Sequence, residues 1–236
     1  MVKHTFSALA IVAALAASAA QAQQPTTQLP NQPGQPAAGG QYAGAQGASA
    51  SAQVDQAIAA CLALGNEEEI ALAQFAESRV KNEKVKQFVA MMIKDHREAI
   101  EKLHKVAPHL ATLNLQLDGD AGQDGQTAAG GDVNQQMLAL QRNVAQQCLE
   151  LTQNELDEKE GAEFDRCFIG QQVGAHIAML AKLKGSEKFA SGALRSHIQE
   201  ATQTVESHLQ HAKELAKTLM DEASHESAQR DDNSRR

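Results

Sequence analysis

The chain has 236 residues, with 21 Lys and Arg against 29 Asp and Glu, a formal net charge of −8, three Cys, one Tyr and no Trp. That length fits one domain with tails and excludes a large multidomain enzyme. The acidic balance, with basic residues spread along the chain, excludes the footprint that grips a phosphate backbone, so nucleic acid is not an expected partner.

Lys3 and His4 precede an apolar run from Phe6 to Ala20, which ends in Ala20-Gln21-Ala22, a small-x-small cleavage site. Residues 1–22 therefore read as a signal peptide cleaved after Ala22. This predicts a periplasmic or secreted protein, with association to the outer membrane also open. The run falls short of the roughly 18–20 apolar residues that span a bilayer, and no later segment is uniformly apolar over that length, so the mature chain is expected to lack a transmembrane span. Residues 23–52 carry no charge and hold four of the five prolines. With Gln, Ala and Gly making up most of the rest, they read as a flexible tether.

From Val54 the pattern changes to helix period, and strand-type alternation is absent. Helices are expected at about 53–80, 83–107, 133–159, 163–184 and 190–221, with Gly65-Asn66 a potential break in the first. Val85, Val89, Met92, Ala99, Leu103 and Val106 share one face of the second. Leu194, Ala201, Val205, Ala212, Leu215 and Leu219 keep near-heptad spacing in the last. Short connections at Lys81-Asn82 and near Gly185 predict two antiparallel hairpins, hence an all-α four-helix bundle over 53–221. An insertion at about 108–162 separates the hairpins. It contains an acidic Gly-rich loop, Asp118 to Asp132, which lacks the spacing and the closing Glu of a calcium loop. It also contains a helix bearing Met137, Leu138, Leu140, Val144, Cys148 and Leu151. Residues 222–236 read as a disordered polar tail.

Cys61, Cys148 and Cys167 are an odd set, so at most one intrachain bridge can form. The simpler reading makes all three small buried residues on helices. No C-x-x-C, Gly-x-Ser-x-Gly or phosphate loop is present, and no catalytic residues are assigned.

The anomaly is ionisable side chains where the helical pattern demands apolar ones. Burying such a group is costly unless it is paired or coordinated. His96 falls between Met92 and Ala99, His176 between Val173 and Leu180, and His208 between Val205 and Ala212; Glu69 interrupts the stripe of Ile58, Leu62, Leu72 and Ala76. Measured from the turn at 81–82, Glu69 and His96 both lie about 18–21 Å along their helices and can face each other. Measured from a connection at about 185–191, His176 lies roughly 13 Å away and His208 roughly 25 Å. They are then not level: His176 falls nearer His197, and His208 nearer Asp165. The candidate divalent-metal ligands are thus Glu69, His96, Asp165, His176 and His208, with zinc, iron or copper the ions suited to imidazole and carboxylate. The alternative for each His is a neutral ring hydrogen-bonded across the core, and for Glu69 a capping arrangement with Asn66. Glu101-x-x-His104 has the di-iron spacing but points away from the core, and His208-x-x-His211 would be a weak surface chelate.

These positions resemble a family of exported bacterial ferritin-like bundles, a domain of unknown function often labelled predicted outer membrane protein. The resemblance covers about residues 65–107 and 163–220. It rests on Gly65 to Ala76 (GNEEEIALAQFA) with Glu69 at the acidic position, on Met91 to His96 (MMIKDH), on Phe164-Asp165-Arg166, on His176 after Ala175, and on His208-Leu209. It implies a ferritin-like four-helix fold and an exported location, and supplies no mechanism. Ile93 and Val205 stand three residues before His96 and His208, where a di-iron Glu-x-x-His site needs Glu, so a di-iron oxidase is disfavoured. The leading expectation is a non-enzymatic envelope or stress-related protein that displays helical surfaces to an envelope or cell-surface partner; the alternative is a divalent metal-binding bundle.

Overall fold

The computed structural model describes residues 40–112, 117 and 133–234. The chain divides into two compact units, Met1–Ala50 and Ser51–Arg236. The expected signal peptide, the first part of the expected tether and the acidic Gly-rich loop lie outside the described residues. Five α-helices follow in order: α1 Gly40–Glu77, α2 Glu83–Val106, α3 Val133–Asp157, α4 Gly161–Ser186 and α5 Gly192–Ser234, with a short 3-10 turn at Pro108–Thr112 after α2. Among the described residues there is no strand, and the fold is all-α as the helix-period pattern predicts. No helix among them is long and apolar enough to cross a membrane.

The helix limits correct the expected boundaries at both ends. The tether was expected to run to residue 52, yet α1 begins at Gly40, because the Ala- and Gln-rich stretch before Val54 is compatible with helix once a strong segment follows it. The tail was expected to be disordered, yet α5 continues to Ser234, carried by Glu, Ala, Gln and Arg, which cost a helix little. Nor does Gly65-Asn66 break α1. The methyl of Met179 sits 2.7 Å from where a Cβ at Gly65 would stand, so this glycine admits a side chain of α4 rather than ending the helix.

α2 starts where Asn82 takes the N-cap, its side-chain oxygen accepting from the Lys84 amide at 2.9 Å. It stops where Pro108 removes the next backbone donor. α4 and α5 both open on a glycine in the left-handed region, Gly161 at φ 55° and Gly192 at φ 48°, where a side chain would be strained. The expected stripes form the core. Val85, Val89, Met92 and Leu103 of α2 join Leu194, Val205, Ala212, Leu215 and Leu219 of α5, together with Leu62, Leu72 and Ala76 of α1 and Phe164, Phe168 and Ile169 of α4. α4 packs along α5, α2 along α5, and α3 against α4. In α3 the buried face is Ala145, Leu149 and Leu156, whereas Met137, Leu140 and Leu151 are exposed. One long helix face cannot be told from another by apolar content alone when both carry Leu.

Two polar contacts set the register of the site. At one end of the bundle the Asp165 carboxylate of α4 accepts from the Lys81 amide at 3.0 Å and the Asn82 amide at 2.7 Å, closing the α1–α2 turn, and the Asn82 side-chain amide reaches Glu222 of α5 at 3.4 Å. At the other, Asp55 of α1 accepts from the backbone amide of Ser191 at 3.0 Å and from its hydroxyl. His96 stands fourteen residues after Asn82 and His208 fourteen before Glu222, so both lie about 21 Å from that end and are level.

Candidate metal centre

Each of the three core histidines spends one ring nitrogen on a neighbour. Asn66 donates its amide to the Leu62 carbonyl one turn back, at 2.7 Å, which turns its oxygen towards His96; His96 Nδ1 then donates to that oxygen at 2.8 Å. His176 Nδ1 lies 2.8 Å from the backbone carbonyl of Gln172, which can only accept. His208 Nε2 lies 3.0 Å from a carboxylate oxygen of Asp95. A neutral imidazole has one donor and one acceptor nitrogen, so these contacts fix all three tautomers.

What is left is a convergence of lone pairs. His96 Nε2, His176 Nε2 and His208 Nδ1 are buried and have no hydrogen-bond partner among the described residues. One nitrogen from each residue lies within 4.8 Å of the other two, and the ring centroids are 5.5–5.9 Å apart. The rings are 3%, 1% and 4% exposed. Burial pushes the pKa of His96 well below its usual 6.5, with His176 and His208 adding to the push. Burial likewise lowers that of His208, against the pull of Asp95. Three acceptor nitrogens cannot satisfy one another, and one shared proton would bridge only two of them. A cation that accepts electron pairs would satisfy all three.

The candidate residues separate on this geometry. His96, His176 and His208 come together, although counting from the α4–α5 connection had set His176 and His208 apart. The level of His208 is defined instead from the Asn82–Glu222 end. The structure places Asp165 at the α1–α2 turn and outside the histidine cluster. It is 1% exposed, and its oxygens are taken by the backbone amides of Lys81 and Asn82. Glu69 is buried, and its Oε2 has no hydrogen-bond partner, but it is not part of the histidine cluster. The residue facing His96 is Asn66 rather than Glu69, and Asn66 sits mid-helix, so the capping alternative for Glu69 falls away. Sequence reasoning missed Asn66 and Asp95 as orienting groups, although the Asp95-His96 pair was visible as part of MMIKDH. An Asp beside an inward His lies about 100° round the helix, where it can reach a ring on the neighbouring helix instead.

Glu101 and His104 are exposed, as expected. His211 packs edge-on against Phe88, at 5.3 Å between centroids, while the His208 ring turns inward, so the His208-x-x-His211 surface chelate does not form. Cys61, Cys148 and Cys167 are unpaired and half-buried on α1, α3 and α4, which is less buried than expected. Burial raises the thiol pKa of Cys148 and Cys167, which leaves them protonated and unreactive.

A cavity of about 230 Å³ reaches the cluster from one side. His96, His208 and Asp95 contribute to its wall, Leu62, Met179 and Val205 give it an apolar lining, and Lys102, His197 and Glu200 also border it. Burial lowers the pKa of His197. In α1, Glu68 is pushed up to about 7, by burial first and by its neighbour Glu69 second.

The shifts predict how the metal-free chain responds to acid. His96, His197 and His208 stay neutral in the fold while the unfolded chain takes up protons near 6.5, so their contribution falls as the pH drops below about 6.5. Glu68 works in the other direction. It keeps its proton in the fold up to about 7 but loses it near 4.5 when unfolded, so its contribution falls as the pH rises between those values. In a Glu68→Gln variant, which removes the opposing group, the urea midpoint is expected to be lower at pH 5 than at pH 7. An equal or higher midpoint at pH 5 in that variant would show that these rings are not held neutral by burial.

No curated protein and no solved structure matches the chain. A family profile does match, over residues 41–215, a span that includes all three histidines and every residue that orients them. The chain accordingly belongs to the family described as Domain of unknown function (DUF4142).

Proposed function

We propose that this is an exported metal-binding protein, whose bundle holds one divalent transition-metal ion between His96, His176 and His208. The observation that carries the reading is the set of three buried, unpartnered ring nitrogens from three different helices. Neutral nitrogen donors suit zinc, copper or iron(II) and disfavour calcium and magnesium, which need oxygen ligands. A tetrahedral ion with bonds of roughly 2.0–2.1 Å draws its nitrogens to roughly 3.4 Å from one another, so the three rings close inward on binding. Asp95 behind His208, Asn66 behind His96 and the Gln172 carbonyl behind His176 are the partners that keep ligand rings oriented. The absence of Glu at positions 93 and 205 argues for storage, buffering or stress protection by one ion rather than di-iron oxidation.

The packing of α4 along α5 and the contact of α1 with α2 at Asn66 and His96, with α3 lying between the hairpins in sequence, support reading the arrangement as a ferritin-like four-helix bundle. The apolar leader supports a periplasmic or secreted location, and a tethered bundle in the envelope could also display its surfaces to a partner there.

The test is elemental analysis of the mature protein, purified without chelator or metal-affinity resin, beside a variant with His96, His176 and His208 all replaced by Ala. Close to one ion per chain in the first, lost in the second, is the expected result. If neither the isolated protein nor one reconstituted with zinc, copper or iron(II) retains metal, the reading fails. The histidines are then structural, and display to an envelope partner becomes the function to pursue.

A further inference from the structure

The three histidines supply three donors, and among the described residues the cluster contains no fourth protein ligand. Two more buried side chains on the helices that carry and orient these histidines have polar atoms without a hydrogen-bond partner among the described residues. Gln172 is 0% exposed, and neither its Nε2 nor its Oε1 makes a hydrogen bond; Glu69 is 7% exposed, and its Oε2 makes none. Gln172 stands one turn before His176 on α4, and its backbone carbonyl is the acceptor that orients the His176 ring. Glu69 stands three residues after Asn66, which orients His96. The α1–α4 contacts Phe75–Phe164 and Gly65–Met179 define an antiparallel register in which Glu69 falls across from the turn carrying Gln172 and His176.

Buried polar atoms in native folds are almost always satisfied, by protein or by an ordered water that makes two to four bonds. A tetrahedral ion on three histidines keeps one position for such a molecule. We propose that the fourth position of the ion held by His96, His176 and His208 is filled by an exchangeable water that Glu69 and Gln172 hold, and that small monoanions can replace it. This rests on the metal-binding reading above. The water gives a lone pair to the ion and donates one hydrogen bond to Glu69 Oε2 and another to Gln172 Oε1. A monoanion in its place accepts from Gln172 Nε2 but meets the negative charge of Glu69. The two side chains therefore have opposite effects: Gln172 favours the anion and Glu69 disfavours it.

The full mature chain, loaded with cobalt(II), provides the test, because the visible absorption of cobalt reports its coordination. Azide is the probe. Cobalt uptake is measured first for every protein, and failure of the native sequence to bind it would overturn the metal-binding reading and this inference together. With cobalt bound, azide is expected to change the spectrum saturably. Glu69→Gln, nearly isosteric, should still bind one cobalt and take azide about tenfold more tightly, a difference of about 1.4 kcal/mol; Gln172→Leu should bind azide more weakly. A native cobalt spectrum indifferent to azide would mean a closed site and overturn the proposal, as would an azide affinity unchanged by Glu69→Gln. Should Gln172→Leu fail to fold, Glu69→Gln decides alone.

Discussion

Saturating zinc is expected to raise the melting temperature of the metal-free protein by about 5–10 °C. A ligand that binds only the folded state adds about 2.7 kcal/mol when present at 100 times its dissociation constant. For a domain of this size each kcal/mol moves the midpoint by about 2–4 °C. The variant lacking all three histidines should show no shift at the same zinc concentration, whatever its own melting temperature. Asp95→Asn offers a finer test. The substituted amide oxygen can still accept from His208 Nε2, so the tautomer survives, but the negative charge behind the ring is lost. Losing such an orienting partner typically weakens metal binding about 10- to 100-fold, which should remove roughly half or more of the zinc-induced shift. Calorimetric or fluorescence-monitored melts at several zinc concentrations check both. A native protein whose midpoint ignores zinc would remove the basis for a metal centre.

Replacing Asp165 with Ala is expected to lower the unfolding free energy by about 3 kcal/mol, because it strips a buried carboxylate from two backbone donors. The Lys81 and Asn82 amides point at this carboxylate from the α1–α2 turn. Hydrogen bonds to a charged group contribute about 1.5–3 kcal/mol, and each buried donor left unsatisfied costs about 1–3 kcal/mol. Asp165→Asn should cost less, since its carbonyl oxygen can still serve one of the two amides. Zinc stoichiometry is expected to be unchanged in both variants, which separates the structural role seen here from the ligand role that the sequence suggested. Urea titrations read the stability and elemental analysis reads the metal. If Asp165→Ala loses the ion while keeping its fold, the assignment of Asp165 to the turn is wrong.

These two results bear on different levels of one bundle, and the contrast shows why Asp165 and the histidines looked alike in the sequence. All are ionisable residues interrupting an apolar stripe, and periodicity reports which way a side chain faces but not what it meets. Glu69 illustrates the same limit. Its inward direction and its height along α1 were both legible, yet Asn66, one turn away, is what contacts His96.

The sequence by itself determined the all-α class, the presence of short helix connections near Lys81-Asn82 and at about 185–191, and the inward direction of His96, His176 and His208. Each of these follows from local chain geometry, from 3.6-residue periodicity and from turn chemistry, which act over a few residues. Only the tertiary structure decided that the three rings meet, that Asp95 and Asn66 orient two of them, and that Asp165 caps the α1–α2 turn instead. Those outcomes depend on how helices distant in sequence slide past one another. That register is set by contacts such as Asp165 with Lys81 and Asn82, and Asn82 with Glu222. They join residues more than eighty positions apart, so no local pattern in the chain encodes them.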